Sequence, residues 1–135
     1  MSRIVVAYLA TLAAFCVLDF IWLGFVARGF YQAQIGTLLL DPPKWGVAVM
    51  FYALYVVGIV VFAVQPALDA GSWQKALLLG GLFGFFCYAT YDLTNLATLK
   101  GWTVPMAAVD ILWGIAITAT SATAGFWLTR TFGPG

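Results

Sequence analysis

Four long apolar runs, separated by short segments rich in polar and turn-forming residues, dominate the pattern of this chain. A membrane-spanning helix needs about 20 predominantly apolar residues, and each run is long enough to cross a bilayer. The runs cover, approximately, residues 4–27, 45–64, 73–99 and 104–128. The second run is expected to stop at Pro66, because proline breaks the interior of a helix. The pattern predicts an all-α membrane protein, a four-transmembrane-helix antiparallel bundle that forms one integral membrane domain over residues 1–135.

The longest connection lies between the first two runs, at residues 28–40. It mixes apolar residues such as Phe30, Tyr31 and Ile35 with Gln32 and Gln34. This mixture is typical of a short amphipathic helix lying at the membrane interface. A plain loop would fit the same residues equally well, so both alternatives stay open.

The composition indicates that most of this chain is surrounded by lipid rather than by water. Of its 135 residues, 64% are hydrophobic and only 8% are charged, whereas soluble domains usually carry about 25% charged residues. The six Lys and Arg residues against five acids leave no basic face for nucleic acid. The absence of His excludes a bis-His haem, an imidazole zinc site and a Ser-His-Asp triad. Cys16 and Cys87 fall in apolar runs without metal-binding spacing. We expect no cofactor, no metal ion and no nucleic-acid partner.

The positive charges do not select an orientation in the membrane. We call the side of the amino terminus side A and the opposite side side B. Side A carries Arg3, Lys75 and Arg130, and side B carries Arg28, Lys44 and Lys100. The positive-inside rule therefore gives a tie. A tie allows insertion in both orientations, which would suit a homodimer of oppositely oriented chains.

Three aspartates lie inside the apolar runs at a similar depth. Asp19 is nine residues before Arg28, Asp92 is eight residues before Lys100, and Asp110 is ten residues after Lys100. At ~1.5 Å per residue, each lies roughly 12–15 Å inside the side-B flank. Ionisable side chains are costly in lipid and commonly mark a functional site. Because no Lys or Arg shares this depth, the carboxyl groups must be protonated, hydrogen-bonded, hydrated or bound to a cation.

Further polar and aromatic residues fall near the same level. The candidate binding cluster therefore consists of Asp19, Asp92, Asn95, Asp110, Tyr52, Tyr55, Tyr88, Trp22 and Trp113. Its rim, where a lipid head group could be neutralised, consists of Arg28, Lys44 and Lys100. The spacing Asp-x-x-Trp occurs in both the first and the fourth run, and it places each aspartate and tryptophan on one helix face. Each indole N–H could then donate a hydrogen bond toward a polar group.

Small residues predict where the helices pack closely. Gly80 and Gly84 lie on the side-A half of the third run, and small residues recur on the side-A half of the fourth. Small side chains let helix backbones approach closely in membranes. We therefore expect a tight bundle at side A and a splayed, aromatic-lined cavity that opens to side B.

One stretch of the third run and the start of the fourth carry a family resemblance. The stretch is Y-D-L-T-N-L-A-T, from Tyr91 to Thr98, followed by D-I-L-W-G from Asp110. With Leu18-Asp19 and Phe51-Tyr52, it resembles a small membrane protein family, domain of unknown function 2177. The resemblance extends over essentially the whole chain and implies a four-helix protein of the bacterial inner membrane. It implies no activity.

Three functions fit these features. The chain could bind or transport a small molecule, a proton or a cation at the polar cluster, or it could modify a lipid or prenyl phosphate with Mg²⁺ held by the aspartates. It could also be a structural subunit in which the aspartates join helices. We favour binding or transport and leave the enzyme question open. The expected partners are the lipid bilayer, a lipid or amphipathic small molecule, and a second copy of the chain.

Overall fold

The protein is a bundle of four long helices in a computed structural model, which describes residues 2–40 and 42–134. The helices that are long and apolar enough to cross a membrane are Arg3–Val26, Trp45–Ala70, Trp73–Thr98 and Val104–Phe132. We call them the first to fourth spans. No strand occurs among the described residues. The predicted all-α, four-transmembrane-helix fold is confirmed.

Hydroxyl side chains fix where three of the spans begin. The side chains of Ser2, Ser72 and Thr103 each accept a hydrogen bond from the backbone N–H three residues later. These bonds satisfy donors that the first turn of a helix leaves without a partner. The tight turn between the second and third spans depends on Gly71, whose φ of 64° is left-handed.

The second span extends beyond the predicted stop at Pro66. A π-helical turn at Val60–Val64 leads into an α-helical segment, Gln65–Ala70. Pro66 lies in the first turn of that segment, where its fixed φ suits a helix and its missing N–H costs little. The expected end was therefore too early, because the π-helical turn places the proline at a tolerated position.

A short helix connects the first two spans. The first span ends in a π-helical turn, Trp22–Val26, and the chain then forms an α-helix, Arg28–Ile35, followed by a 3-10 turn, Gly36–Leu38. Of the two alternatives for this segment, the helix is the one that forms. We call Arg28–Ile35 the connecting helix. It packs against the beginning of the fourth span, where the Thr103 hydroxyl donates to the Gln34 side-chain oxygen at 2.5 Å.

The third and fourth spans make the closest helix contact. A Cβ atom added to Gly84 would overlap the Gly114 carbonyl oxygen and the Thr118 side chain. One added to Gly80 would lie 2.9 Å from the Thr118 carbonyl oxygen. The two glycines therefore allow backbone-to-backbone approach at the predicted place. The positions that meet run in opposite directions along the two helices, so the spans are antiparallel.

The fourth span also packs along the first, and a polar contact joins the first and second spans at side A. Arg3 donates to Gln65 Oε1 at 3.1 Å and to Asp69 Oδ1 at 2.7 Å. The Arg3–Asp69 pair is exposed, so it contributes about 0–1 kcal/mol to stability. It nevertheless holds the start of the first span beside the end of the second.

Candidate functional site

The three intramembrane aspartates are buried in the side-B half of the bundle. Asp19, Asp92 and Asp110 lie on the first, third and fourth spans and expose 8%, 0% and 8% of their surface. Buried carboxyl groups are costly unless hydrogen bonds or protonation compensate for the lost water. The surroundings of each one therefore decide what it can do.

Asp19 has two hydrogen-bond donors. Tyr52 on the second span donates its hydroxyl to Asp19 Oδ2 at 2.5 Å. The indole Nε1 of Trp113, on the fourth span, donates to Asp19 Oδ1 at 3.3 Å. Each carboxyl oxygen thus has a partner, and the carboxyl group joins the first, second and fourth spans. This arrangement compensates for burial without a cation.

Asp110 is held from the connecting helix. The Tyr31 hydroxyl donates to Asp110 Oδ1 at 3.0 Å and accepts a hydrogen bond from the Trp22 indole at 2.8 Å. Burial raises the pKa of the Tyr31 phenol, and nearby Asp110 and Asp19 raise it further, although the bond from Trp22 acts in the opposite direction. Tyr31 therefore keeps its proton and remains a donor to Asp110.

The repeated Asp-x-x-Trp spacing produces a crossed arrangement. The tryptophan of the fourth span, Trp113, bonds the aspartate of the first span directly, while Trp22 of the first span reaches Asp110 through Tyr31. The two indoles stack face to face, with ring centroids 4.3 Å apart and planes inclined by 6°. Each tryptophan thus donates a hydrogen bond, directly or through Tyr31, toward the aspartate of the other span. The same Asp-x-x-Trp spacing allows this on both helices because the two spans are antiparallel.

Asp92 differs from the other two aspartates. It lies close to Asp110, and neither of its carboxyl oxygens receives a hydrogen bond from a protein donor. The Trp102 indole N–H points toward the same carboxyl, but the geometry falls short of a hydrogen bond. Asp92 and Asp110 are therefore two carboxyl groups side by side, and one lacks any donor from the protein.

The remaining polar members of the predicted cluster lie on the second and third spans. Tyr55 shares a buried 2.8 Å hydrogen bond with Thr118. Tyr88 packs its ring against Gly114, where a Cβ atom would overlap it. Asn95 lies one turn beyond Asp92 and is half-buried. The Tyr55–Thr118 bond thus lies about two helical turns from Asp110 along the fourth span.

The three rim cations stay apart from the aspartates. Arg28, Lys44 and Lys100 are exposed. Among the described residues, the hydrogen bonds and ion pairs join none of them to Asp19, Asp92 or Asp110. No basic side chain neutralises the carboxyl level from within.

Aromatic side chains occupy the side-B half of the bundle, where the sequence predicts a splayed, aromatic-lined cavity. The Trp22–Trp113 stack fills the space between the first and fourth spans, and the connecting helix places Tyr31 over Asp110. Bulky aromatic side chains can hold helices apart, but here the same side chains fill the space between the spans. The apolar grooves on the outer surface lie elsewhere, one between Tyr8 and Val57 and one along Leu78 and Ile115.

The aspartates do not form a single ligand set. Within residues 2–40 and 42–134, no three His, Cys, Asp or Glu side chains lie close enough to hold a metal ion together. Both carboxyl oxygens of Asp19 accept hydrogen bonds from Tyr52 and Trp113. A Mg²⁺ ion bound by all three aspartates, the basis of the lipid-phosphate hypothesis, would need a different arrangement.

The sequence did not single out Tyr31 and Trp102 as members of the cluster. Tyr31 lies in the connection for which the sequence leaves an interfacial helix and a plain loop open, and Trp102 lies in the short turn before the fourth span. The only signal for Tyr31 is its place among the apolar residues of an amphipathic segment. Its approach to Asp110 depends on the π-helical turn at Trp22–Val26, which folds the connection back over the bundle.

Comparison with known proteins gives a family for the chain. The family model described as "Predicted membrane protein (DUF2177)" matches residues 4–127. The chain belongs to this family. The match reaches into all four spans and includes every residue of the carboxyl cluster, so the resemblance found in the sequence is confirmed. No curated protein and no solved structure matches the chain. With four spans and this family membership, the chain is a multi-pass membrane protein that sits in a lipid bilayer.

Proposed function

We propose that the protein binds a proton reversibly at the Asp92–Asp110 pair and uses it in binding or transport across the membrane. The observation that carries the proposal is the fully buried Asp92, which lacks a protein donor and faces a second carboxyl group. Two ionised carboxylates about 4 Å apart repel by about 4 kcal/mol at an effective dielectric constant of about 20. A proton shared between them removes this repulsion and supplies the missing hydrogen bond.

The groups around the pair support a proton rather than a protein cation as the neutralising charge. Tyr31 approaches from the connecting helix, Tyr88 and Asn95 from the third span, Trp102 from the loop before the fourth span, and Asp19 from the first. None of these groups is cationic. The neutralising charge of the pair therefore comes from outside the protein. A proton is the smallest ion that fits a site lined by these side chains.

A structural role is the second candidate, and Asp19 favours it. Its bonds to Tyr52 and Trp113 join three spans, as expected of a buried polar group that holds helices together. In membranes such bonds contribute about 0.6 kcal/mol each on average. Under this alternative Asp92 and Asp110 would also be structural, and their protonation would have no use.

Proton release measured with an indicator dye separates the two candidates. Purified protein is moved from neutral to mildly alkaline pH, where ordinary surface carboxyl groups are already ionised because their pKa lies near 4. We expect wild-type protein to release about one more proton per chain than Asp92→Asn, since the amide carries no exchangeable charge. Asp69→Asn, which changes an exposed carboxyl at side A, should match wild type. Equal release by wild type and Asp92→Asn would contradict the proposal and favour a structural role.

Location and assembly are part of the same proposal. The bacterial inner membrane is the location that the family resemblance implies, and the equal distribution of Lys and Arg between the two sides supports insertion in both orientations. A homodimer of oppositely oriented chains would then place one carboxyl pair near each side of the membrane. Such an arrangement would give a chain of 135 residues two related halves.

A further inference from the structure

A second polar feature lies deeper in the bundle, between the first and fourth spans. Thr11 and Ser121 are both fully buried, and the hydroxyl oxygen of each lacks a hydrogen-bond partner in the protein. A buried hydroxyl without a partner costs about 1–3 kcal/mol. Two of them in one helix interface need an explanation that apolar packing does not give.

The usual solution for a hydroxyl in a helix is not adopted here. Thr90, Thr123 and Thr129 each donate to the backbone carbonyl four residues earlier, at 2.5, 2.8 and 2.6 Å. Thr11 and Ser121 do not, although their own helices offer the same carbonyls. The Thr11 hydroxyl is instead directed at the fourth span.

Both hydroxyl groups belong to the same interface. A Cβ atom added to Gly125 would overlap Thr11 Oγ1, so the Thr11 hydroxyl points at the fourth span. Ser121 lies one turn before Gly125 on that span, on its buried face. The Thr11 hydroxyl occupies the space that the missing side chain of Gly125 leaves.

The interface continues the polar cluster toward side A. Thr118, three residues before Ser121, holds the buried hydrogen bond with Tyr55, and Tyr55 contacts the Tyr88 ring with centroids 6.0 Å apart. Tyr88 in turn packs on Gly114, one turn beyond Asp110. These contacts therefore lie in sequence along the fourth span, between Asp110 and Ser121.

We infer that Thr11 and Ser121 form an internal water site in the side-A half of the bundle, on the side-A side of the polar and aromatic contacts that begin at the carboxyl pair. A buried water molecule makes two to four hydrogen bonds to polar groups that would otherwise lack partners, and these two hydroxyl groups are such partners. The water site rests on its own geometry. Its use as a path for protons to and from the Asp92–Asp110 pair rests on the function proposed above.

Beyond the water site, the interior becomes apolar. Ala7, Val64 and Phe126 are fully buried, and they separate Thr11 from the Arg3–Asp69 pair at the side-A surface. From Thr11 to Arg3 the first span rises roughly 12 Å, at ~1.5 Å per residue. The water site thus borders on an apolar layer toward side A. This layer would prevent an uncontrolled proton leak through the resting protein.

Water-edited solid-state NMR of the protein in bilayers tests the site directly. The experiment measures how fast magnetisation passes from mobile water to each side chain. In wild-type protein, Thr11 and Ser121 should receive it clearly faster than the buried apolar residues Phe15 and Ile59. Build-up as slow as that of Phe15 and Ile59 would overturn the inference.

Two variants sharpen the test. Ser121→Ala removes one of the two hydroxyl groups, and Thr11 should then lose its enhanced build-up. Thr123→Val is the matched control, because the Thr123 hydroxyl is bonded to its own helix, and Thr11 should keep its signal. Unchanged build-up at Thr11 in Ser121→Ala would also overturn the inference. Neither result depends on proton release by Asp92, so failure of the water site and failure of the proposed function are distinguishable.

Discussion

Tyr31→Phe is the substitution that best isolates the link between the connecting helix and the carboxyl pair. It removes one oxygen atom and leaves the ring that packs edge-on against Trp22, with centroids 6.4 Å apart. The lost oxygen takes part in two hydrogen bonds, at 2.8 Å from Trp22 and 3.0 Å to Asp110. Both former partners lie in a partly or fully buried environment, and the substitution would leave them unsatisfied.

The expected cost follows from these two bonds. Interhelical hydrogen bonds in membranes average about 0.6 kcal/mol, and an unsatisfied buried partner adds about 1–3 kcal/mol. We therefore expect Tyr31→Phe to lower the free energy of unfolding by about 1–3 kcal/mol. Reversible denaturation of the detergent-solubilised protein gives this quantity, followed by loss of helical circular dichroism or by tryptophan fluorescence.

Tyr8→Phe is the matched control. The Tyr8 hydroxyl also donates one hydrogen bond, to the Ala53 carbonyl oxygen at 3.1 Å, but that carbonyl lies within a helix and keeps a second acceptor role. Its loss should cost less than about 1 kcal/mol. A double-mutant cycle of Tyr31→Phe with Asp110→Ala should give a coupling energy of about 0.5–3 kcal/mol. No coupling, or a Tyr31→Phe cost equal to that of Tyr8→Phe, would refute the proposed link.

Two further substitutions test the packing and the side-A contact. Gly114→Ala places a methyl group where the Tyr88 ring lies and should lower the free energy of unfolding by about 1–3 kcal/mol through overpacking. Gly46→Ala is the control, because its methyl group would meet no atom within 4 Å and should not destabilise the protein. Equal thermal stability of the two variants would contradict the close contact. Asp69→Asn removes the exposed ion pair with Arg3 and should change stability by less than about 1 kcal/mol, less still at high salt; a larger loss in the same denaturation assay would show that the pair is not an ordinary surface contact.

The depth of the aspartates was predictable because the rise of an α-helix is constant. Counting from Arg28 and Lys100 was enough to put Asp19, Asp92 and Asp110 in one half of the bundle. The sequence could not show which of them face each other, because that depends on how each helix is rotated. The spans are apolar on nearly every face, so no amphipathic pattern fixes the rotation as it would in a soluble protein.

Local departures from regular α-helix account for the other differences. The π-helical turn at Val60–Val64 allows the second span to continue through Pro66, and the turn at Trp22–Val26 folds the connecting helix over the cluster. Neither turn has a clear signature in an apolar sequence. The sequence therefore did not predict that Tyr31 belongs to the site. Tyr31 covers Asp110 at the side-B end of the bundle, where the aromatic residues alone predicted an open cavity.

Infrared spectroscopy of the protein with isotope-labelled aspartate tests the shared proton most directly. A protonated carboxyl group gives a C=O stretching band that an ionised carboxylate lacks, and the label assigns the band to aspartate. At neutral pH we predict this band in wild-type protein and in Asp19→Asn, and its loss in Asp92→Asn. If wild-type protein shows no protonated aspartate at neutral pH, or if the band survives in Asp92→Asn, the Asp92–Asp110 pair does not hold the proton.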